Sequence, residues 1–196
     1  MARIKPAKNG TRKEVIIRKA SALFRTKGFA ATSMRDLAIS VGVEAPSLYN
    51  HIGSKSELLQ DICFKIASEF TSQLEKTEGK NVNVLVKLEE VIRFHIHMML
   101  EEFDEVFVAN HEWKYLQEPH LGNFINQRRT YEKRLVTLIE TGIASNEFKK
   151  SNPYVTVLTI LSALRGLEFW LRHKKKFSAR ELENEMVDHL LTGMVR

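Results

Sequence analysis

The sequence predicts an all-α protein of about nine helices, with a three-helix N-terminal domain containing a helix-turn-helix and a C-terminal helical bundle. Three observations carry this. Only 9 Gly and 4 Pro interrupt 196 residues. Runs of alternating β-branched residues are scarce, and apolar residues recur at spacings of three and four along most of the chain. A hydrophobic share of 43%, with 11 Phe and 2 Trp, supplies ample core.

Residues 1–10 are polar and basic without periodicity, and read as a disordered basic arm. Thr11 opens a helix to about Lys27, with Ile16, Ala20, Leu23 and Phe24 inward and Gly28 ending it. Ser33 with Asp36 caps a short helix whose apolar stripe is Met34, Leu37, Ala38 and Val41. Gly42 supplies the left-handed residue of a tight turn. The next helix opens at Glu44-Ala45-Pro46, with proline in the first turn. Leu48 and Ile52 anchor it, leaving Ser47 and Asn50 outward and Tyr49 and His51 at the flanks. Such a pair fits a helix-turn-helix whose second member enters the DNA major groove.

Ser54 and Glu57 form a capping box for a fourth helix passing Leu58, Ile62, Cys63, Ile66, Phe70 and Leu74. Residues 75–83 read as a polar loop. A fifth helix spans 84–102, with Leu88, Val91, Ile92, His95 and Met99 on one face, and a sixth spans 103–116. Pro119 interrupts, a seventh helix covers 121–145, and a loop leads to Pro153. Residues 153–172 are apolar nearly all round, which predicts burial on both sides. Lys174 to Lys176 form a solvated turn before a last helix, 178–194, with Leu182, Met186, Leu190 and Met194 on one face. The organisation predicted is therefore an arm at 1–10, a DNA-binding domain at 11–53, and a ligand-binding and dimerisation domain at 54–196 linked through helix 54–75.

Charge is unevenly placed. Residues 1–60 hold 11 Lys and Arg against 4 Asp and Glu, whereas 61–196 hold 19 against 20. The whole basic excess coincides with the helix-turn-helix, as phosphate neutralisation requires. A single cysteine, Cys63, rules out an internal disulfide and suits the cytoplasm. No run approaches the ~18–20 apolar residues of a membrane span. Enzyme signatures are missing: no phosphate-binding glycine loop, nucleophile elbow or HExxH motif is present. His95 and His97 fall on different helix faces, and His111 and His120 lack a second ligand nearby. Neither cofactor nor metal is expected.

The stretch VGVEAPSLYNHIGSKSELL resembles the DNA-binding signature of the TetR family of bacterial one-component regulators, in the turn glycine, the Leu-Tyr-x-His core and the following Ser-Lys-x-Glu-Leu. FRTKGFAATSMRDLA fits the same family's preceding junction. Ile52 departs from the family, which usually has an aromatic there. QRRTYEKRLVTLIETGIASNEFKKSNPYVTVLTILSALRGLEFWLR is similar to the C-terminal domain of the branch regulating fatty-acid, sterol and aromatic-acid breakdown. The resemblance implies a homodimer joined by its last two helices on a palindromic DNA operator, released by a small-molecule effector such as an acyl-CoA thioester.

Site residues follow. Thr32, Ser33 and Lys55 are expected on phosphates, with Tyr49 and His51 beside the groove. Arg35, Ala45, Pro46, Ser47 and Asn50 are expected at base edges. An effector cavity would be walled by Phe94, Met98, Met99, Phe103, Phe107, Trp113, Phe124, Tyr131 and Trp170, with plain core packing the competing reading for each. Arg128 shares a face with Phe124, Tyr131 and Leu135, and wants an anion: a structural carboxylate or the acidic part of a ligand. Two rival functions stand beside this one. The first is a DNA-binding regulator without a small-molecule effector, and the second is a helical ligand-binding or enzymatic protein with an incidental basic head.

Overall fold

The computed structural model describes residues 11–173 and 178–195, the side chains of 172 and 173 excepted. The expected arm at 1–10 and the turn at Lys174 to Lys176 lie outside the described residues. Described are nine helices in order: α1 Arg12–Lys27, α2 Met34–Val41, α3 Ala45–Tyr49, α4 Lys55–Glu78, α5 Val84–Glu101, α6 Phe103–His111, α7 His120–Ala144, α8 Pro153–His173 and α9 Ala179–Thr192. A single 3-10 turn, Trp113–Tyr115, follows α6. The described residues form two compact units: those up to 67 with 104–125, and 68–103 with those from 126 onward.

In the first unit, α1 and α2 start as expected. The hydroxyls of Thr11 and Ser33 accept the N–H groups of Glu14 and Asp36, whose carboxylates accept the Thr11 and Ser33 N–H groups in return. Gly42 ends α2 at φ 80°, ψ 34°, in the left-handed region that favours glycine. Leu37, Leu48, Leu58, Leu59 and Ile62 are fully buried, and Ile52 is 3% exposed, so its aliphatic side chain belongs to the same core. At the start of α4 the Ser54 hydroxyl accepts the Glu57 N–H, but the Glu57 carboxylate accepts from Gly53, one residue farther back than the expected box.

Three expectations about the helices change. The fourth helix does not end near Glu75 but runs to Glu78, because Arg134 of α7 donates to the carboxylates of Glu75 and Glu78 and holds this polar turn in register. The sixth helix breaks after His111 into the 3-10 turn. Most consequentially, α8 is not buried on both sides. Val157, Ile160, Leu161, Leu164 and Leu167 are buried against the second unit, while Tyr154, Val155, Leu158 and Phe169 are 52–64% exposed. By length and composition Pro153–Leu171 could also cross a membrane, contrary to the expectation that no run approaches that size. On α9, Val187 and Leu191 are buried, whereas Leu182, Met186, Leu190 and Met194 are half-buried.

The second unit is closed by the loop after α7. Phe148 is 1% exposed and lies flat against Gly142, where any Cβ would collide with its ring. The N–H groups of Glu147 and Phe148 both donate to the Gly142 carbonyl, and the Glu147 carboxylate accepts the Leu85 N–H at 3.0 Å. Gly142→Ala must displace this ring, and we expect a loss of about 1–3 kcal/mol in denaturant unfolding. An unchanged midpoint would show that the loop repacks freely.

Candidate nucleic-acid interface

The loop between α1 and α2 carries carbonyls that no helix satisfies. Lys55, at the first turn of α4, reaches back to them: its ammonium donates to the carbonyls of Phe29 (2.8 Å), Thr32 (2.8 Å) and Ala30 (3.4 Å). The same ammonium lies 4.4 Å from the centre of the Phe29 ring. Phe29 is further fixed by Phe24 edge-on at 5.2 Å, Tyr115 stacked at 5.3 Å, and the Glu112 carboxylate, which accepts its N–H at 3.1 Å. Thr32 is 1% exposed, with its hydroxyl donating to the Gly28 carbonyl at 2.8 Å. A lysine has three polar hydrogens, and here all three have carbonyl partners within the unit.

The ten sequence-derived contacts therefore divide. Thr32 and Lys55 are turned inward and hold the loop that leads into α2, where the sequence reading put them on phosphates. Ser33 is exposed, with its hydroxyl shared between the Asp36 N–H and carboxylate. Asp36 also accepts from Lys27 at 2.8 Å. That bond, followed by those from the Ser33 hydroxyl and N–H, holds its carboxyl well below the usual range. Arg35, Pro46, Asn50 and Tyr49 are exposed, Tyr49 by 53%, while Ala45, Ser47 and His51 are half-buried. Ile39, which the sequence reading did not single out, is 69% exposed on α2. Glu112 and Tyr115 were also missed. Their partner Phe29 is more than 80 residues away in sequence, and no local pattern announces it.

The ten candidate effector residues do not share a unit. Phe107, Trp113 and Phe124 belong to the first, where Phe124 packs against Phe64 at 5.8 Å and Trp113 at 6.4 Å. Phe94, Met98, Met99, Phe103, Arg128, Tyr131 and Trp170 belong to the second. There Phe70 stacks on His95 at 4.3 Å and meets Phe94 edge-on at 5.6 Å. The Nε2 of His95 lies 2.8 Å from the Tyr131 hydroxyl. Burial, with a smaller contribution from Arg165, lowers the His95 pKa to about 3, and burial raises that of Tyr131. Met98 and Met99 are each 4% exposed. The indole N–H of Trp170 is buried with no hydrogen-bond partner among the described residues. A void bounded by Leu88, Val91, His95, Leu135, Val157, Ile160, Leu161 and Leu164 has a volume of about 10 Å³, the space of a single water.

Comparison with known proteins places this geometry. Residues 16–62 match the family described as bacterial regulatory proteins, tetR family, and residues 82–194 match the tetracyclin repressor-like C-terminal domain. The HTH-type transcriptional repressor KstR2 of Mycolicibacterium smegmatis is 22% identical, over 100% of this chain and 97% of its own length. The fold is similar to that of the ketosteroid transcriptional regulator KstR2 of Mycobacterium tuberculosis (TM-score 0.88, 19% identity, covering 99% of this chain and 100% of that one). AibR, solved with isovaleryl coenzyme A and operator DNA, has a TM-score of 0.79 at 20% identity, covering 91% of this chain and 97% of its own. With a family match across more than half its length, and with α2 and α3 presenting an anchored, exposed recognition surface, the chain belongs to the TetR family of DNA-binding transcriptional regulators.

Proposed function

We propose that this regulator acts in the cytoplasm as a homodimeric repressor of a palindromic operator, released when an acyl-CoA thioester binds. The observation that carries the reading is α3: Leu48 and Ile52 are locked into the core while Pro46, Tyr49 and Asn50 stay exposed. In this reading 11–53 is the DNA-binding domain, and 54–196 binds effector and partner. Asn50 and Arg35 meet base edges with Ala45, Pro46 and Ser47, while Ser33, Tyr49 and His51 steady the backbone. Thr32 and Lys55 act through the loop they hold.

The exposed apolar face of α8 supports dimerisation. Four large side chains open to water on one helix face are costly unless covered, and Ser162 and Gly166 on that face let a second helix approach closely. A twofold dimer presents two recognition helices, hence the palindrome. For the effector, support comes from the fold shared with AibR, which was solved with isovaleryl coenzyme A. Arg128 and the exposed Arg129 are suited to the CoA phosphates, and the aromatic residues to the acyl part. Regulation without a small molecule has one observation in its favour, the water-sized void described above. Titration calorimetry with isovaleryl-CoA, followed by operator release, separates the two.

Selection from a random duplex pool should enrich a palindrome at physiological salt, and a pool left unenriched while bulk DNA binds would sink the regulator reading as stated. Asn50→Ala should then cost about 1–3 kcal/mol on the selected site and little on random duplex. Equal losses on both would make Asn50 a backbone contact. Leu158→Arg should shift the sedimentation coefficient from dimer to monomer with helicity retained. A variant that stays dimeric removes α8 from the interface. Lys55→Met should lower unfolding stability by about 1–3 kcal/mol. Undiminished stability with weakened operator binding would return Lys55 to the phosphates.

A further inference from the structure

We infer that the His95–Tyr131 pair selects an effector whose acyl portion carries an uncharged hydrogen-bond acceptor oxygen. The inference rests on the acyl-CoA reading and deepens it. A neutral imidazole brings one N–H and tyrosine one O–H, two polar hydrogens in all. Their mutual contact at 2.8 Å uses one of them, whichever tautomer is present. Neither side chain makes another hydrogen bond among the described residues. The pair therefore keeps one donor in reserve.

Its surroundings are hydrophobic. Phe70 covers the imidazole face at 4.3 Å, and the other seven residues around the adjoining void are all Leu, Val or Ile. Both rings are desolvated enough to shift their titrations strongly, yet both are only half-buried by surface area. His95 itself lines the void, among the apolar side chains named above. A second buried donor without an acceptor, the Trp170 N–H, belongs to the same unit. Buried donors left without acceptors are rare in native cores. An all-apolar pair such as Leu and Phe would have packed these positions without that cost. A carboxylate is the poorer partner, because the imidazole stays uncharged and the void's other lining residues are apolar; Arg165, whose charge also acts on His95, does not line it. A carbonyl or ether oxygen meets the need. Because the void has room for no more than about one water, the acyl group must open it on entry.

Two sources of the oxygen exist, the thioester carbonyl itself and a further oxygen along the chain. Calorimetry with hexyl-CoA, hexanoyl-CoA and 3-oxohexanoyl-CoA distinguishes them, because each adds one carbonyl to the last. The wild-type protein should gain about tenfold in affinity at one of the two steps. A gain at the first assigns the thioester carbonyl, and a gain at the second assigns an oxygen beyond it. In His95→Leu/Tyr131→Phe that step should shrink below about threefold, with operator affinity in the absence of ligand unchanged. Replacing both partners by apolar groups preserves packing, and Tyr131→Phe alone provides the comparison if the double variant melts early. A step of undiminished size in the variants overturns the assignment. So does wild-type binding of all three with equal affinity. Failure of all three to bind overturns the acyl-CoA reading itself, and this inference with it.

Discussion

The turn between the first two helices has to place backbone carbonyls where no helical N–H can reach them, and one ammonium group resolves the problem. Lys55 gives its three hydrogens to the carbonyls of Phe29, Ala30 and Thr32, and its charge rests over the Phe29 ring. This sets where α2 begins, since Ser33, the residue that caps it, is next in the chain. The start of α2 sets the position of Gly42, the left-handed turn, and so the direction of α3. Everything exposed for DNA therefore hangs from a loop pinned at its carbonyls. The Phe24–Phe29–Tyr115 ring stack and Glu112 hold the same loop from another side.

What was legible in the sequence is what is decided locally. The cap read at Ser33 with Asp36 needs only four consecutive residues, and the structure forms it, while the helix starts read at Thr11 and Ser178 are set by boxes of the same kind. The left-handed Gly42 and the inward pair Leu48 and Ile52 are equally short-range. By contrast, α4 outlasts its apolar pattern because Arg134, 56 residues on, pairs with Glu78. No window on 75–83 contains that information. The internal partners of Lys55 were missed for a related reason. A lysine opening a helix beside a DNA-binding motif has an obvious partner in phosphate, and the carbonyls it actually meets lie 23–26 residues upstream. The exposed face of α8 was legible only in part, since an all-round apolar helix looks the same whether its second face is covered by its own chain or by another.

The division of roles among polar groups runs through the whole molecule. Arg93 joins Glu89 on its own helix to Glu183 and Asn184 on α9, and Arg134 joins α7 to the end of α4, so these cations are spent on holding helices together. The basic excess that remains sits at the N-terminal end of the chain, with Arg35 exposed beside the recognition helix. In the second unit the imidazole of His95 and the phenol of Tyr131 pair with each other beside an apolar void.

The uncovered side of α8 has a consequence for how much of the protein a cell must keep. If that face is completed only by a second copy, the population able to grip both halves of an operator follows mass action and thins with dilution. A regulator held near nanomolar abundance needs about 12 kcal/mol from the pairing to remain assembled. In that case Tyr154, Val155, Leu158 and Phe169 tie the sharpness of gene control to expression level, and a cell that halves its stock of a weakly paired regulator loses more than half of its working copies.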